Sequence, residues 1–230
     1  MKVSRRLWIL VLLVVLVNQF NLYALYVSSA DTTGASVGTA SLTINGAEAQ
    51  VVYPICNSTL TTDYGRWNYV SIPLELANGA ITTEFSSIAG SYDLAYEYNH
   101  SSGTFLYYYE PFDTGTLTTI TEGKCYIIKA TSNQTVTNFN GTAALSNINQ
   151  NLVTTNGRWN YVGWVAENTA IETAFTSIDG SYDLSYVYDN NEGIFEYYYA
   201  PFTTGTYSTV TPCDCQLIKA TATDDLNYTI

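Results

Sequence analysis

The stretch Gly65-Arg66-Trp67-Asn68-Tyr69-Val70 returns unchanged as Gly157-Arg158-Trp159-Asn160-Tyr161-Val162. Outward from it the echo lengthens. Phe85 to Thr131 aligns without a gap against Phe175 to Thr221 at an offset of 90, and 27 of those 47 columns are identical. Shared blocks include Gly-Ser-Tyr-Asp-Leu (90–94, 180–184), three consecutive tyrosines (107–109, 197–199) and Ile-Lys-Ala-Thr (128–131, 218–221). Self-similarity of this kind marks one unit built twice. The expected layout is a first β module at 65–140 and a second at 141–230, behind a spacer with leading strands at 31–64 and an N-terminal segment at 1–30.

The local pattern of each copy is that of a small sheet. Trp67, Tyr69 and Ser71 alternate with Asn68, Val70 and Ile72, which predicts a strand. Ile81, Phe85 and Ile88, like Ile171, Phe175 and Ile178, recur at helical spacing and predict one short amphipathic helix. Thr169-Ala-Ile-Glu172 reads as a capping box at its start. Tyr92, Leu94, Tyr96 and Tyr98 then line one face of a strand, and a Gly-containing hairpin loop at 99–103 leads to Phe105, Tyr107 and Tyr109. The two stripes align with Leu94 and Phe105 and are read as core. Position 106 is Leu in one copy and Glu196 in the other, which predicts a solvent face there. Tyr108 and Tyr198 point to that face and are the candidates for an interaction surface. Cys125 to Ala130 forms the last strand, and polar 138–156 the boundary between copies.

The fold class is therefore all-β with one short helix per module: two tandem homologous antiparallel β modules preceded by a hydrophobic N-terminal helix. Gly38-Thr-Ala-Ser-Leu-Thr faintly echoes Gly141-Thr-Ala-Ala-Leu-Ser and suggests an extra opening strand in each copy.

Location is read from the first residues. Lys-Val-Ser-Arg-Arg precedes an unbroken apolar run from Leu7 to Val17, the layout of an export signal. Either the segment is removed near Ser28-Ser29-Ala30, or 7–27 is retained as one helix long enough to contact or cross a membrane. Both readings place the remainder outside the cell. Five Asn-x-Ser/Thr sequons, at Asn57, Asn99, Asn133, Asn140 and Asn227, are glycosylation candidates in that compartment. Cys56, Cys125, Cys213 and Cys215 are disulfide candidates. A Cys213–Cys215 bond fits strand geometry poorly, so two bridges are expected, one of them joining Cys56 to a repeat.

Charge and motifs exclude several functions. Residues 31–230 carry five Lys or Arg against 20 Asp or Glu, a net −15, which repels nucleic acid. Zinc knuckles are missing and His100, the one histidine, sits in a hairpin loop read as surface, so no metal site and no cofactor are expected. Asp93 and Asp183 recur one per copy after Tyr, and are read as carboxylates that bond turn amides or meet the module's own Arg, rather than as a glycosidase pair. No arrangement of Ser, Cys and His suggests a nucleophile, so no catalytic residue is assigned.

Taken together, the Trp-Asn start, Phe-x-Ser-Ile-x-Gly-Ser-Tyr, Tyr-x-x-Pro-Phe and Gly123-Lys-Cys-Tyr-Ile-Ile-Lys129 resemble a known repeat. It is similar to the "GWNLI…F-x-SI-x-G-x-Y…GxGYWIK" modules of archaeal secreted and cell-surface proteins, over 65–131 and 157–221. The resemblance implies location and fold, not an activity. The second copy departs from it at Pro212-Cys-Asp-Cys-Gln, where the glycine of the turn is lost.

The expectation is a non-enzymatic structural subunit of the cell exterior, a glycosylated pilus-like filament or surface-layer protein that self-associates. The strand-prone segment 35–55 or the C-terminal Asn227-Tyr-Thr-Ile230 would add to a neighbour's sheet edge. The alternative is a glycan-binding adhesin using exposed tyrosines.

Overall fold

A computed structural model of the chain describes residues 36–44, 47–55, 58–136, 141–143, 148–166 and 168–228, with side chains over 59–136, 149–166 and 168–228. The described chain is mostly antiparallel β, with two short α-helices, Ile81–Glu84 and Ile171–Ala174. The hydrophobic segment 7–27 lies outside the described residues, and among those residues no helix is long and apolar enough to cross a membrane.

Each copy of the repeat supplies one five-stranded sheet. The first has the order β4 (Trp67–Ser71), β9 (Cys125–Ala130), β6 (Tyr92–Asn99), β7 (Thr104–Tyr109), β8 (Thr114–Gly115). The second repeats it with β13 (Trp159–Gly163), β19 (Cys215–Ala220), β15 (Tyr182–Asp189), β16 (Ile194–Tyr199), β17 (Thr204–Gly205). Registers match as well: Tyr96 faces Tyr107 and Ile127, and Tyr186 faces Tyr197 and Leu217.

Both sheets break step at the same place. Tyr92 pairs with Ala130 and Leu94 with Lys129, so Asp93 is an extra residue, a β-bulge; Tyr182 and Leu184 repeat it. A bulge reverses which side chains face inward beyond it, because the side-chain period of a strand is two. Tyr92 and Ala95 thus share the inner face, and Leu94, Tyr96 and Tyr98 turn outward. This overturns the expected assignment of faces. Tyr108 and Tyr198, expected at the surface, pair with Ala95 and Ser185 on the inner faces and are 7% and 5% exposed. Leu106 packs against the core instead of facing solvent.

The inner face of each sheet is closed by the short helix. Ile81, Phe85 and Ile88 pack with Val70, Tyr92, Tyr126 and Ile128, and Ile171, Phe175 and Ile178 take the same places in the second core. The predicted helix is shorter than its apolar spacing suggests: one α-turn ends at Phe85 or Phe175, and a 3₁₀ turn carries Ile88 or Ile178. The capping box does not form. Thr169 lies in β14 (Thr169–Ala170), paired with Val210 of β18 (Thr209–Val210), and the helix begins after Ala170 with no side-chain cap.

Short ribbons complete the unit. β3 (Ser58–Leu60) pairs with β10 (Gln134–Val136), and β12 (Ile148–Leu152) with β20 (Asp224–Tyr228), so each copy opens with a strand that meets its own closing strand. The faint echo between 38 and 141 has no counterpart in pairing. β1 (Ser36–Ile44) pairs with β2 (Ala47–Ile55), whereas β11 (Gly141–Ala143) pairs with β5 (Leu74–Leu76) of the first copy. Ser36–Ile44, Ala47–Ile55 and Asp224–Tyr228 are accordingly strands used within the chain.

Candidate functional site: the aromatic outer faces and the seam between the sheets

The bulge leaves each sheet with a second apolar face. In the first sheet its rows are Trp67–Lys129–Leu94–Tyr109 and Tyr69–Ile127–Tyr96–Tyr107, with Tyr98 beside Phe105 below them. The second sheet carries Trp159–Lys219–Leu184–Tyr199 and Tyr161–Leu217–Tyr186–Tyr197, with Tyr188 beside Phe195. Lys129 Nζ lies 5.7 Å from the Trp67 ring centroid and Lys219 Nζ 5.8 Å from that of Trp159. Each ammonium is thereby held on an aromatic face.

The two outer faces meet along a reciprocal seam. Tyr69 packs on Tyr188 and Phe195 of the second sheet at centroid distances of 4.8 and 5.5 Å, and Tyr161 packs on Tyr98 and Phe105 of the first at 5.0 and 6.0 Å. The backbone obeys the same exchange: Ser71 N–H donates to Cys213 O and Gly163 N–H to Gly123 O. The hairpin loops reach across too. Tyr69 N–H donates to Asn190 Oδ1 and Tyr69 O accepts from Asn190 Nδ2, both at 2.8 Å, while Tyr161 N–H donates to His100 Nε2 at 2.8 Å. Residue i on one half contacts j on the other and j's equivalent contacts i's, which is the contact pattern of a two-fold relation. At its centre Cys125 and Cys215, equivalent positions 90 residues apart, form a disulfide.

Two features read from the sequence fall on this seam. His100 is not a surface residue; it is 8% exposed, because the loop that carries it is pressed against Tyr161. Burial pushes its imidazole down to about 4, with the Lys124 ammonium adding to the effect. Cys213 stands where the first copy has Gly123, and it keeps the glycine's left-handed backbone at φ 84° against 70°. It too is disulfide-bonded, and the expectation for Cys56 lies outside the described residues. The turn thus survives the loss of its glycine.

Beside the seam opens a polar cleft of about 630 Å³, lined by Glu97, Tyr98, His100, Glu122 and Lys124 and, from the start of the second half, by Asn149 to Asn151. Burial pushes the Glu97 carboxyl up against the opposing pull of Lys124. The second copy holds Val187, Asn190, Pro212 and Asp214 at the corresponding places, so this chemistry occurs once. His100 commits Nε2 to the Tyr161 amide and is not free as a base for the neighbouring hydroxyls. Among the described residues no group of three or more His, Cys, Asp and Glu is placed to hold a metal.

Asp93 and Asp183 go to structure. Arg66 and Lys129 both lie 3.9 Å from Asp93, and Arg158 donates to Asp183 at 3.1 Å. Each aspartate is the extra residue of its bulge, with its carboxylate beside the arginine of its own repeat. Of the sequons, Asn99 turns Oδ1 to the Ser101 and Ser102 amides and Asn133 turns Oδ1 to Thr62, while Asn227 is exposed; Asn57 and Asn140 lie outside the described residues.

Sequence reasoning missed Asn68 and Asn160, both fully buried. Asn68 accepts from Thr61 N–H and donates to Thr61 O and Arg66 O; Asn160 does the same with Val153 and Arg158. An asparagine repeated inside an otherwise apolar strand start was the available signal. Comparison with known protein families, with curated proteins and with solved structures finds no match.

Proposed function

We propose that this chain is a non-enzymatic structural subunit of the cell exterior, a glycosylated pilus-like filament or surface-layer protein. It is built from two homologous β modules behind a hydrophobic N-terminal helix that exports it and, if retained, contacts the membrane. One observation carries the reading: the residues repeated in both copies are committed to architecture. The Trp-Asn-Tyr starts support the opening strands and the seam, and Asp93 and Asp183 meet their own arginines. The polar cleft beside the seam takes its charged and imidazole groups, Glu97, His100, Glu122 and Lys124, from positions that differ between the copies. Low Lys content and two modules braced by a disulfide suit an assembled, oxidising, exterior setting. Immunolabelled electron microscopy of the native cell surface, with mass spectrometry of the mature N-terminus, tests this. Label confined to filaments or a lattice supports it; label inside the cell contradicts it.

A second reading, glycan binding, is favoured by exposed aromatics on the opposite face from the one expected. Tyr109 with Phe112 and Tyr199 with Phe202 form pairs with centroids 5.1 and 5.2 Å apart. A glycan array on the wild type and on the Phe112→Ser/Phe202→Ser protein decides it, since binding lost in the variant is required.

A further inference from the structure

The seam covers only part of each outer face. Beyond Phe105 the strip of the first sheet continues through Tyr107 and Tyr109 to Phe112, which are 41%, 37% and 71% exposed; Tyr197, Tyr199 and Phe202 are 40%, 37% and 70% exposed. Adjoining aromatics open to water at this level mark a contact surface. The strip is continuous with an interface already formed, since its inner end, Phe105, packs on Tyr161 of the other half. What this face accepts within the chain is thus the outer face of another copy of the same repeat.

The two strips are alike in shape and unlike in charge. Glu110 and Asp113 flank Phe112, while the same places beside Phe202 are Ala200 and Thr203. Glu110 accepts from Gly90 N–H and Asp113 from the Tyr108 hydroxyl. Two first strips brought together would so gather four carboxylates at the rim of the contact in a chain already at −12, whereas a first strip against a second would gather two. Resting on the structural-subunit reading, we propose that a second copy of this chain docks here head to tail, the Tyr107–Tyr109–Phe112 strip of one meeting the Tyr197–Tyr199–Phe202 strip of the next. A heterologous contact of this kind does not close on itself as a dimer and propagates into an open chain or a ring.

The test is sedimentation velocity of the full chain, as wild type, Phe112→Ser, Phe202→Ser and a 1:1 mixture of the two variants. Both phenylalanines are largely exposed, and an unchanged melting curve establishes that each variant is folded. Loss of one central aromatic anchor is expected to weaken self-association by about 30-fold or more. Each variant alone should remain monomeric where the wild type forms oligomers, and the mixture should stop at a dimer through the one intact pair of strips. If both variants assemble like the wild type, the docking surface is wrong while the subunit reading stands. If either variant dimerises alone, the head-to-tail arrangement is wrong. A wild type that stays monomeric at every concentration overturns the subunit reading itself. Retention on a neutral oligosaccharide column, lost in the variants without any change in self-association, gives the strips to glycan and overturns the proposal.

Discussion

Tyr161 N–H donates to His100 Nε2 at 2.8 Å from the opposite half of the molecule, and the bond requires the ring to be unprotonated at that nitrogen. Asn190 makes the equivalent contact to Tyr69 with two bonds and no titration. Burial holds His100 down at about 4 against an ordinary 6.5. The unfolded chain therefore binds the proton first as pH falls. The stability this group contributes is complete above about 6.5, declines between 6.5 and 4, and is gone below 4, a change of about 3 kcal/mol. Asp214, pushed up to about 6 by burial, acts with the opposite sign as pH rises from 3.8 to 6, so the wild-type curve alone is ambiguous. The readable quantity is the difference between wild type and His100→Asn in urea unfolding from pH 4 to 7. The variant should gain on the wild type as pH falls; parallel curves would show that the imidazole does not titrate at the seam.

Asn68 and Asn160 each fasten the start of a sheet to the opening strand of the same copy. Replacing either by Ala leaves part-buried backbone groups of Thr61 or Val153 without their side-chain partner, at a cost of about 1–3 kcal/mol. Chemical denaturation of both single variants is the check, with equal losses expected from equivalent positions. A loss below about 1 kcal/mol in both would mean that water takes over these bonds.

Gly103 and Gly90 have nearly the same left-handed backbone, φ +71° and +74°, and very different surroundings. A Cβ on Gly103 would lie 2.4 Å from Asn156 Cγ of the other half, whereas one on Gly90 meets nothing within 4 Å. Gly90→Ala should cost about 1 kcal/mol for conformation alone, and Gly103→Ala about 2–3 kcal/mol, because it also pries at the seam. Thermal unfolding of the two proteins separates the terms; equal costs would place Asn156 away from Gly103.

The two cores fill one spot differently. Ala95, Leu117 and Tyr126 in the first correspond to Ser185, Tyr207 and Gln216 in the second, where the Tyr207 hydroxyl bonds Ser185 Oγ at 2.7 Å and Gln216 Oε1 at 2.8 Å. Tyr207→Phe removes the shared hydroxyl and leaves Ser185 Oγ and Gln216 Oε1 only their mutual bond at 3.2 Å, and should destabilise by about 1–2 kcal/mol. The triple change Ser185→Ala, Tyr207→Leu, Gln216→Tyr installs the other copy's packing and should be within about 1 kcal/mol of wild type. A triple variant worse than the single one would show that the halves do not share a backbone frame here.

The alternation of apolar side chains in 92–109 was legible, yet it named the wrong face. The cause is the bulge at Asp93 and Asp183: an inserted residue leaves no mark in composition and inverts every position beyond it. Tyr96 and Tyr107 also gave no sign that a strand apolar on both sides was present, since a face buried by another copy of the same repeat reads like a core face. His100 looked like loop because its counterpart is Asn190; the shared property, a nitrogen or oxygen lone pair offered to a backbone amide, is invisible to residue type. The short helices, the hairpins and the structural role of Asp93 needed only local spacing and local charge, and local patterns are what a sequence displays.

The back-to-back pairing of the two sheets rests on Cys125 and Cys215 standing opposite each other. Peptide mapping of the native, unreduced protein by mass spectrometry reads that pairing directly. A cross-linked peptide joining Cys125 to Cys215 is predicted; Cys215 joined to Cys213 or to Cys56 would place the halves in another arrangement and contradict the seam.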